Sequence, residues 1–271
     1  MSGTPTVSKT RKIAETAIML ALGIVLSLVK LLDLPYGGSI TVACMLPAIL
    51  IAYRYGVGYG LITGLLFGIS QQLLGLNTLS YVTTWQSIVA VILLDYIVAF
   101  AVIGFGGLFR RIKNQANGLV AGVILVCILR FLCHVISGCT VWAGLSIPDN
   151  AALIYSLGYN ATYMIPETIV TAVAAYYVGS ILDLRGPAIT NLKSKKEETK
   201  LPVLSWIAGL LIVGAVIFDV INVFMYIQNA ETGEFDVTGL VNVNWQLVLI
   251  VSVTAFVVAG ILFIISKKKK A

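Results

Sequence analysis

Five ionisable side chains stand inside stretches that are otherwise apolar: Asp95, Arg130, His134, Glu167 and Asp219. A charged group at the centre of a spanning helix costs about 2.5 to 3.5 kcal/mol on insertion scales, so such residues turn towards an interior pocket or a partner. Arg130 and His134 are four residues apart and share one helix face; Trp142, eight residues beyond His134, falls near the same face at the outer end. A carboxylate, an imidazole and an indole drawn together suit a planar, polar, cationic guest.

Each group has a plainer reading. Arg130 can snorkel or bind helix carbonyls near the inner end, and Trp142 can be an interfacial aromatic; for Arg130 the plainer reading is preferred. Asp95, in Leu93-Leu94-Asp95-Tyr96, needs a counter-charge, which either Arg130 or a cationic ligand could supply. His134, the single histidine, is assigned to the pocket. Tyr155, Tyr159, Asn160 and Tyr163 offer stacking faces and donor or acceptor pairs for a heteroaromatic ligand, or else form an interfacial tyrosine belt. Glu167, after Pro166, is expected to satisfy backbone groups freed by the proline.

Other chemistries find no support. There is no GxxxxGK[ST] loop, no HExxH and no GxSxG, so the chain is expected not to be an enzyme, and no catalytic residue, metal ligand or cofactor is assigned. Cys44, Cys127, Cys133 and Cys139 lie in apolar segments without a CxxC pair and read as small packing residues.

The elements that position these groups follow from hydropathy. Hydrophobic residues make up 59% of the 271 and charged residues 11%, against roughly a quarter charged in soluble domains. Apolar segments at about 13–32, 39–53, 57–75, 84–108, 117–142, 160–182, 202–228 and 243–266 predict an all-α, polytopic membrane helix bundle. The segment at 39–53 is short and carries Pro47, so a tilt or kink is expected there. The polar start, Met1–Lys12, argues against a removable secretory signal.

Lys and Arg set the orientation, because basic loops stay cytoplasmic. All of the 18 except Lys30 and Arg130 fall on one side: Lys9 to Lys12, Arg54, Arg110 to Lys113, Arg185 to Lys200, and Lys267 to Lys270. The last outer loop is acidic, with Glu231, Glu234 and Asp236. Both termini are therefore expected in the cytoplasm. Three parts follow: a six-helix membrane domain over 1–190, a charged linker over 191–200, and a two-helix membrane extension over 201–271, where Asp219 and Asn222 are the polar groups of interest. Gly56, Gly60, Gly64 and Gly68 form a small-residue stripe suited to helix packing within the chain; Ala17 and Ala21 form a shorter one that could face another subunit.

The runs Pro35-Tyr36-Gly37-Gly38-Ser39, Arg54-Tyr55-Gly56, Leu94-Asp95-Tyr96-Ile97-Val98-Ala99-Phe100, Arg130-Phe131 to His134 with Ile136-Ser137-Gly138, and Tyr155-Ser156-Leu157 to Tyr159-Asn160-Ala161-Thr162-Tyr163 resemble the ThiT family. That family comprises thiamine-specific S components, the substrate-binding subunits of energy-coupling factor (ECF) transporters. The resemblance covers about residues 10 to 185 and implies a six-helix S-component fold in a bacterial plasma membrane, to which the extension adds two helices. It implies capture of thiamine at the outer face, with Asp95, Tyr96, His134, Trp142, Tyr155 and Asn160 as pocket residues and Tyr36, Tyr159 and Tyr163 as further pocket candidates. No pocket role carries over to Tyr81 to Ile92. It implies as partners a transmembrane coupling subunit, met by Ala17 and Ala21, and two cytoplasmic ATPases, with no nucleic acid. Val25 departs from the alanine stripe, and Asp95 is one carbon shorter than the acid of some members. Recognition of another vitamin or a pyrimidine precursor, or a non-transporting membrane scaffold or sensor, are the alternatives.

Overall fold

The computed structural model describes residues 7–145, 149–192, 203–227 and 236–268. The linker lysines 193–200, Glu231, Glu234, Lys269 and Lys270 lie outside them. The chain divides into two compact units, Met1–Asn191 and Leu192–Ala271. Among the described residues, six helices are long and apolar enough to cross a membrane.

The first unit opens with α1 (Lys9–Leu28), N-capped by Ser8, whose hydroxyl accepts from the Arg11 N–H. The helix ends earlier than hydropathy predicts. Lys30–Asp33 (β1) instead pairs antiparallel with Ser39–Thr41 (β2), because Pro35, Gly37 and Gly38 turn the chain back within five residues. Apolar composition alone does not distinguish a helix end from a short strand.

The next predicted span is likewise shorter as a helix: α2 (Leu46–Tyr55) has 10 residues, about 15 Å at 1.5 Å per residue. It is buried along almost its whole length. α3 (Val57–Leu74) follows directly. Gly56 between them has φ +92, a conformation that favours glycine, and nothing approaches its Cβ position. It is a turn residue and not the first step of the packing stripe.

The remaining stripe packs against the fourth long helix. A Cβ at Gly64 would lie 2.2 Å from the Phe100 carbonyl oxygen, and one at Gly68 2.2 Å from that of Tyr96. The opposite face of α3 exposes Ile62, Leu66 and Leu73. Small residues turned inward and large apolar ones outward are what lipid solvation selects, since burial against lipid gives no hydrophobic gain and close backbone approach gains van der Waals contact.

That fourth helix, α4 (Trp85–Arg111), changes winding three times: α over Trp85–Ala90, π over Val91–Val98, α over Ala99–Ala101 and 3-10 over Val102–Arg111. α5 (Gln115–Gly144) and α6 (Asp149–Ile181) form the most extensive helix pair of this unit. The predicted start of the latter at 160 is eleven residues too late, because Tyr155, Tyr159 and Asn160 lower the hydropathy while keeping the helix. A two-residue ladder, β3 (Leu182–Asp183) with β4 (Thr190–Asn191), closes the unit.

At the inner end, Arg54 is 4% exposed. It donates to Glu15, to the Tyr55 hydroxyl and to the carbonyls of Leu184, Gly186 and Pro187. Its Nε lies 2.7 Å from Glu15 Oε2, and Tyr55 donates to the same oxygen. This cluster binds α1, α2 and the turn after α6.

The second unit is a hairpin of α7 (Val203–Ile227) and α8 (Trp245–Lys268). Ser205 and Ser266 hydroxyls meet at 2.8 Å, which pairs the start of one helix with the end of the other. Ser252 donates to Asp219, and Asn222 caps the Phe218 carbonyl at 2.9 Å.

Candidate functional site

Asp95 and Tyr96 occupy the π-wound stretch of α4. Single π turns frequently mark functional sites, because the extra residue per turn rotates neighbouring side chains off the ordinary helical face. The rotation brings Asp95 against α5. Its Oδ1 lies 2.7 Å from His134 Nδ1, and its Oδ2 accepts from Ser137 at 2.8 Å.

Arg130 approaches the other side of the imidazole, with Nη2 3.4 Å from His134 Nε2. His134 thus stands between the Asp95 carboxylate and the Arg130 guanidinium. Arg130 is buried, at 8% exposure, and its guanidinium carbon sits 4.1 Å from the centroid of the Phe100 ring. It does not snorkel.

These groups line a cavity of about 420 Å³ within the first unit, inside the range of roughly 300 to 1,000 Å³ typical of small-molecule sites. The cavity wall is also aromatic. Tyr36 lies edge-on to Trp142 at 4.9 Å, to Tyr81 at 5.4 Å and to Tyr159 at 6.3 Å, centroid to centroid. Trp142 is 4% exposed and so is no interfacial tryptophan. Each such aromatic pair contributes about 0.5 to 1.5 kcal/mol beyond area burial.

The β1–β2 hairpin places Tyr36 there. Tyr36 itself has φ 67, a left-handed conformation that a bulky residue adopts only when its surroundings over-determine it. Two contacts from α6 hold the hairpin down: the Tyr159 hydroxyl accepts from Gly38 N–H at 2.8 Å, and Glu167 accepts from both Thr41 N–H at 2.7 Å and Thr41 Oγ1 at 2.8 Å. Glu167 therefore satisfies a distant strand, not the backbone groups near Pro166.

Most of the residues singled out from sequence meet at the cavity: Asp95, Tyr96, His134, Trp142, Asn160, Tyr36, Tyr159 and Tyr163 all line it. Tyr155 does not; its ring stands 5.6 Å from that of Trp142, outside the lining. Asn160 is largely engaged within its own helix, accepting from Tyr163 at 2.5 Å and donating to the Ser156 carbonyl at 2.9 Å. Tyr96 meets the Thr78 hydroxyl at 3.1 Å.

Sequence reasoning missed Tyr81, Thr78 and Gln71, which also line the cavity. Their polar or aromatic character at the outer end of α3 and in the turn Leu76–Tyr81 was the available signal, and it is common at any membrane interface. Ala17, Ala21 and Val25 are all exposed on α1.

A helical membrane protein with a cavity lined by both charged and aromatic side chains is built as a small-molecule receptor or carrier. Residues 13–182 match the family described as Thiamine transporter protein (Thia_YuaJ), and the chain belongs to that family. The thiamine transporter ThiT of Bacillus subtilis (strain 168) is 37% identical over 174 residues, covering 60% of this chain and 86% of that protein. A solved structure of ThiT from Listeria monocytogenes shares the fold, with a TM-score of 0.50 and 24% identity over 62% of this chain and 92% of that one. Both likenesses leave about two fifths of this chain unmatched.

Proposed function

We propose that the chain captures thiamine in the cavity between the β1–β2 hairpin, α4, α5 and α6, as the substrate-binding subunit of an ECF importer. The observation that carries the reading is the joining of an anionic group with an aromatic cluster in one cavity of a thiamine-transporter family member. Thiamine joins a fixed thiazolium cation to a flat aminopyrimidine, and the cavity offers a partner for each.

Asp95 is the counter-charge. The His134 ring stands between it and Arg130, and each oxygen has lone pairs beyond the one hydrogen bond it accepts. Trp142 and Tyr36 provide faces for the thiazolium, a desolvated cation over an aromatic ring being worth about 2 kcal/mol. Tyr96, Tyr159, Tyr163 and Asn160 shape the walls, and Tyr155 acts at one remove by holding Trp142.

Release to the cytoplasm requires partners. A membrane coupling subunit, met by α1 through Ala17 and Ala21, and two ATPases would reorient the binding subunit, whose termini face the cytoplasm. Residues 201–271 form a membrane extension outside the binding domain 1–190, joined through the charged linker 191–200.

Calorimetry on the purified full chain tests the reading. Saturable thiamine binding, weakened in Asp95→Asn and Trp142→Ala, is expected. Tighter binding of the free aminopyrimidine or of another vitamin would replace thiamine by that ligand; no binding of any of them would leave a scaffold or sensor.

A further inference from the structure

We propose that Arg130 is a ligand-reading residue, whose Nε–H and Nη1–H donate to an in-plane acceptor of the bound molecule. For thiamine that acceptor is a nitrogen of the aminopyrimidine ring. The inference rests on the thiamine reading and adds a contact that the family resemblance does not assign.

Arg130 is nine-tenths buried and lines the cavity, yet Nε and Nη1 have no hydrogen-bond partner among the described residues. One face of the guanidinium is covered by Phe100 and Nη2 is directed at His134. These two idle nitrogens have almost no accessible surface of their own, so a guest reaches them through a turn of the guanidinium towards the cavity that Arg130 already lines. Buried donors are almost always satisfied, and each exception calls for an explanation such as a ligand. Glu167, the other buried charge lining the cavity, is already engaged by Thr41.

The nature of the acceptor follows from charge. A phosphate or carboxylate would face Asp95, Asp33 and Glu167 as well as Arg130 and Lys30, the last already paired with Asp33, so the cavity offers an anion no excess of positive charge. The thiazolium end of thiamine is a like charge, and its hydroxyl is tethered to that ring. The aminopyrimidine is separated from the cation by a methylene and carries uncharged nitrogen lone pairs in the ring plane. It is the half of the molecule that can sit against a guanidinium without repulsion.

A chemical double-mutant cycle tests this. Binding of thiamine is compared with binding of two analogues, each with one pyrimidine nitrogen replaced by CH, in wild-type chain, Arg130→Met and Arg130→Lys. The wild-type protein is expected to lose roughly 5- to 150-fold for at least one analogue, the range for a buried donor left unpaired. In Arg130→Met that ratio should collapse to within about twofold. An undiminished ratio in Arg130→Met overturns the proposal, as does a wild-type protein indifferent to both analogues.

A wild-type chain that does not bind thiamine at all rejects the parent reading, and the proposal with it. If neither variant folds, a structure of the wild-type complex decides: a ring nitrogen within about 3.2 Å of Nε or Nη1 supports the contact, and both nitrogens beyond about 3.5 Å from the ring refute it.

Discussion

Two buried arginines in the first unit, Arg54 and Arg130, have opposite surroundings. Arg54 closes the inner end with every nitrogen engaged: Glu15, Tyr55 and three backbone carbonyls surround it. Arg130, under the cavity, makes one long contact to His134, rests on Phe100 and leaves two nitrogens idle. A saturated cluster fastens helices together, whereas an unsaturated one of the same chemistry is prepared for something outside the chain. Burial and charge alone do not separate the two; the tally of partners does.

Substitutions can break that contrast. The largest effect belongs to the frame both arginines depend on. Gly64→Val would push a side chain into the Phe100 carbonyl, 2.2 Å from where a Cβ must sit, so loss of folded protein in detergent-resistant size-exclusion profiles is expected. Next is Arg54→Ala, which leaves three carbonyls without their donor and Glu15 with only Arg11 and Tyr55. Breaking a buried pair costs about 3 to 5 kcal/mol, read as a large drop in thermal midpoint, while thiamine affinity of the protein that remains folded should stay within about threefold.

Arg130→Met should behave in the reverse way. Removing a buried cation with two unsatisfied donors also removes its desolvation cost, which offsets the lost His134 contact and Phe100 face, so its thermal midpoint without ligand should stay close to that of the wild type. A drop as large as that of Arg54→Ala would erase the distinction between the two clusters. Trp142→Ala is expected to weaken thiamine binding by about 30-fold, the equivalent of about 2 kcal/mol of cation–π attraction. Tyr155→Phe, one shell further out, should change affinity by less than about threefold; a larger loss would place its hydroxyl on the ligand.

The smallest effect is expected in the second unit. Asp219 is held by Ser252 and lies in the α7–α8 hairpin, so Asp219→Asn should leave thiamine affinity unchanged in calorimetry. The match to the family ends at residue 182, and any effect of Asp219→Asn on binding would tie the hairpin to the cavity.

Sequence alone determined the membrane class, most of the long helices and the residue types that meet in the cavity. Hydrophobic runs near 20 residues record the thickness of the solvent they cross, and an ionisable side chain within one is costly enough to announce an interior role. Tertiary structure decided the rest. Hydropathy averages over a window, so it could not see that Lys30–Asp33 is a strand, that α2 is only half a span, or that α6 begins at Asp149.

Nor could spacing on a regular helix predict the π turn that rotates Asp95 onto His134, or the hairpin that folds Tyr36 over Trp142 in a left-handed conformation. The role of Arg130 is the sharpest case. Its identity and position fitted a snorkelling residue, and only the inventory of partners around it, set by contacts among distant segments, distinguishes an anchor from a group left open for a guest.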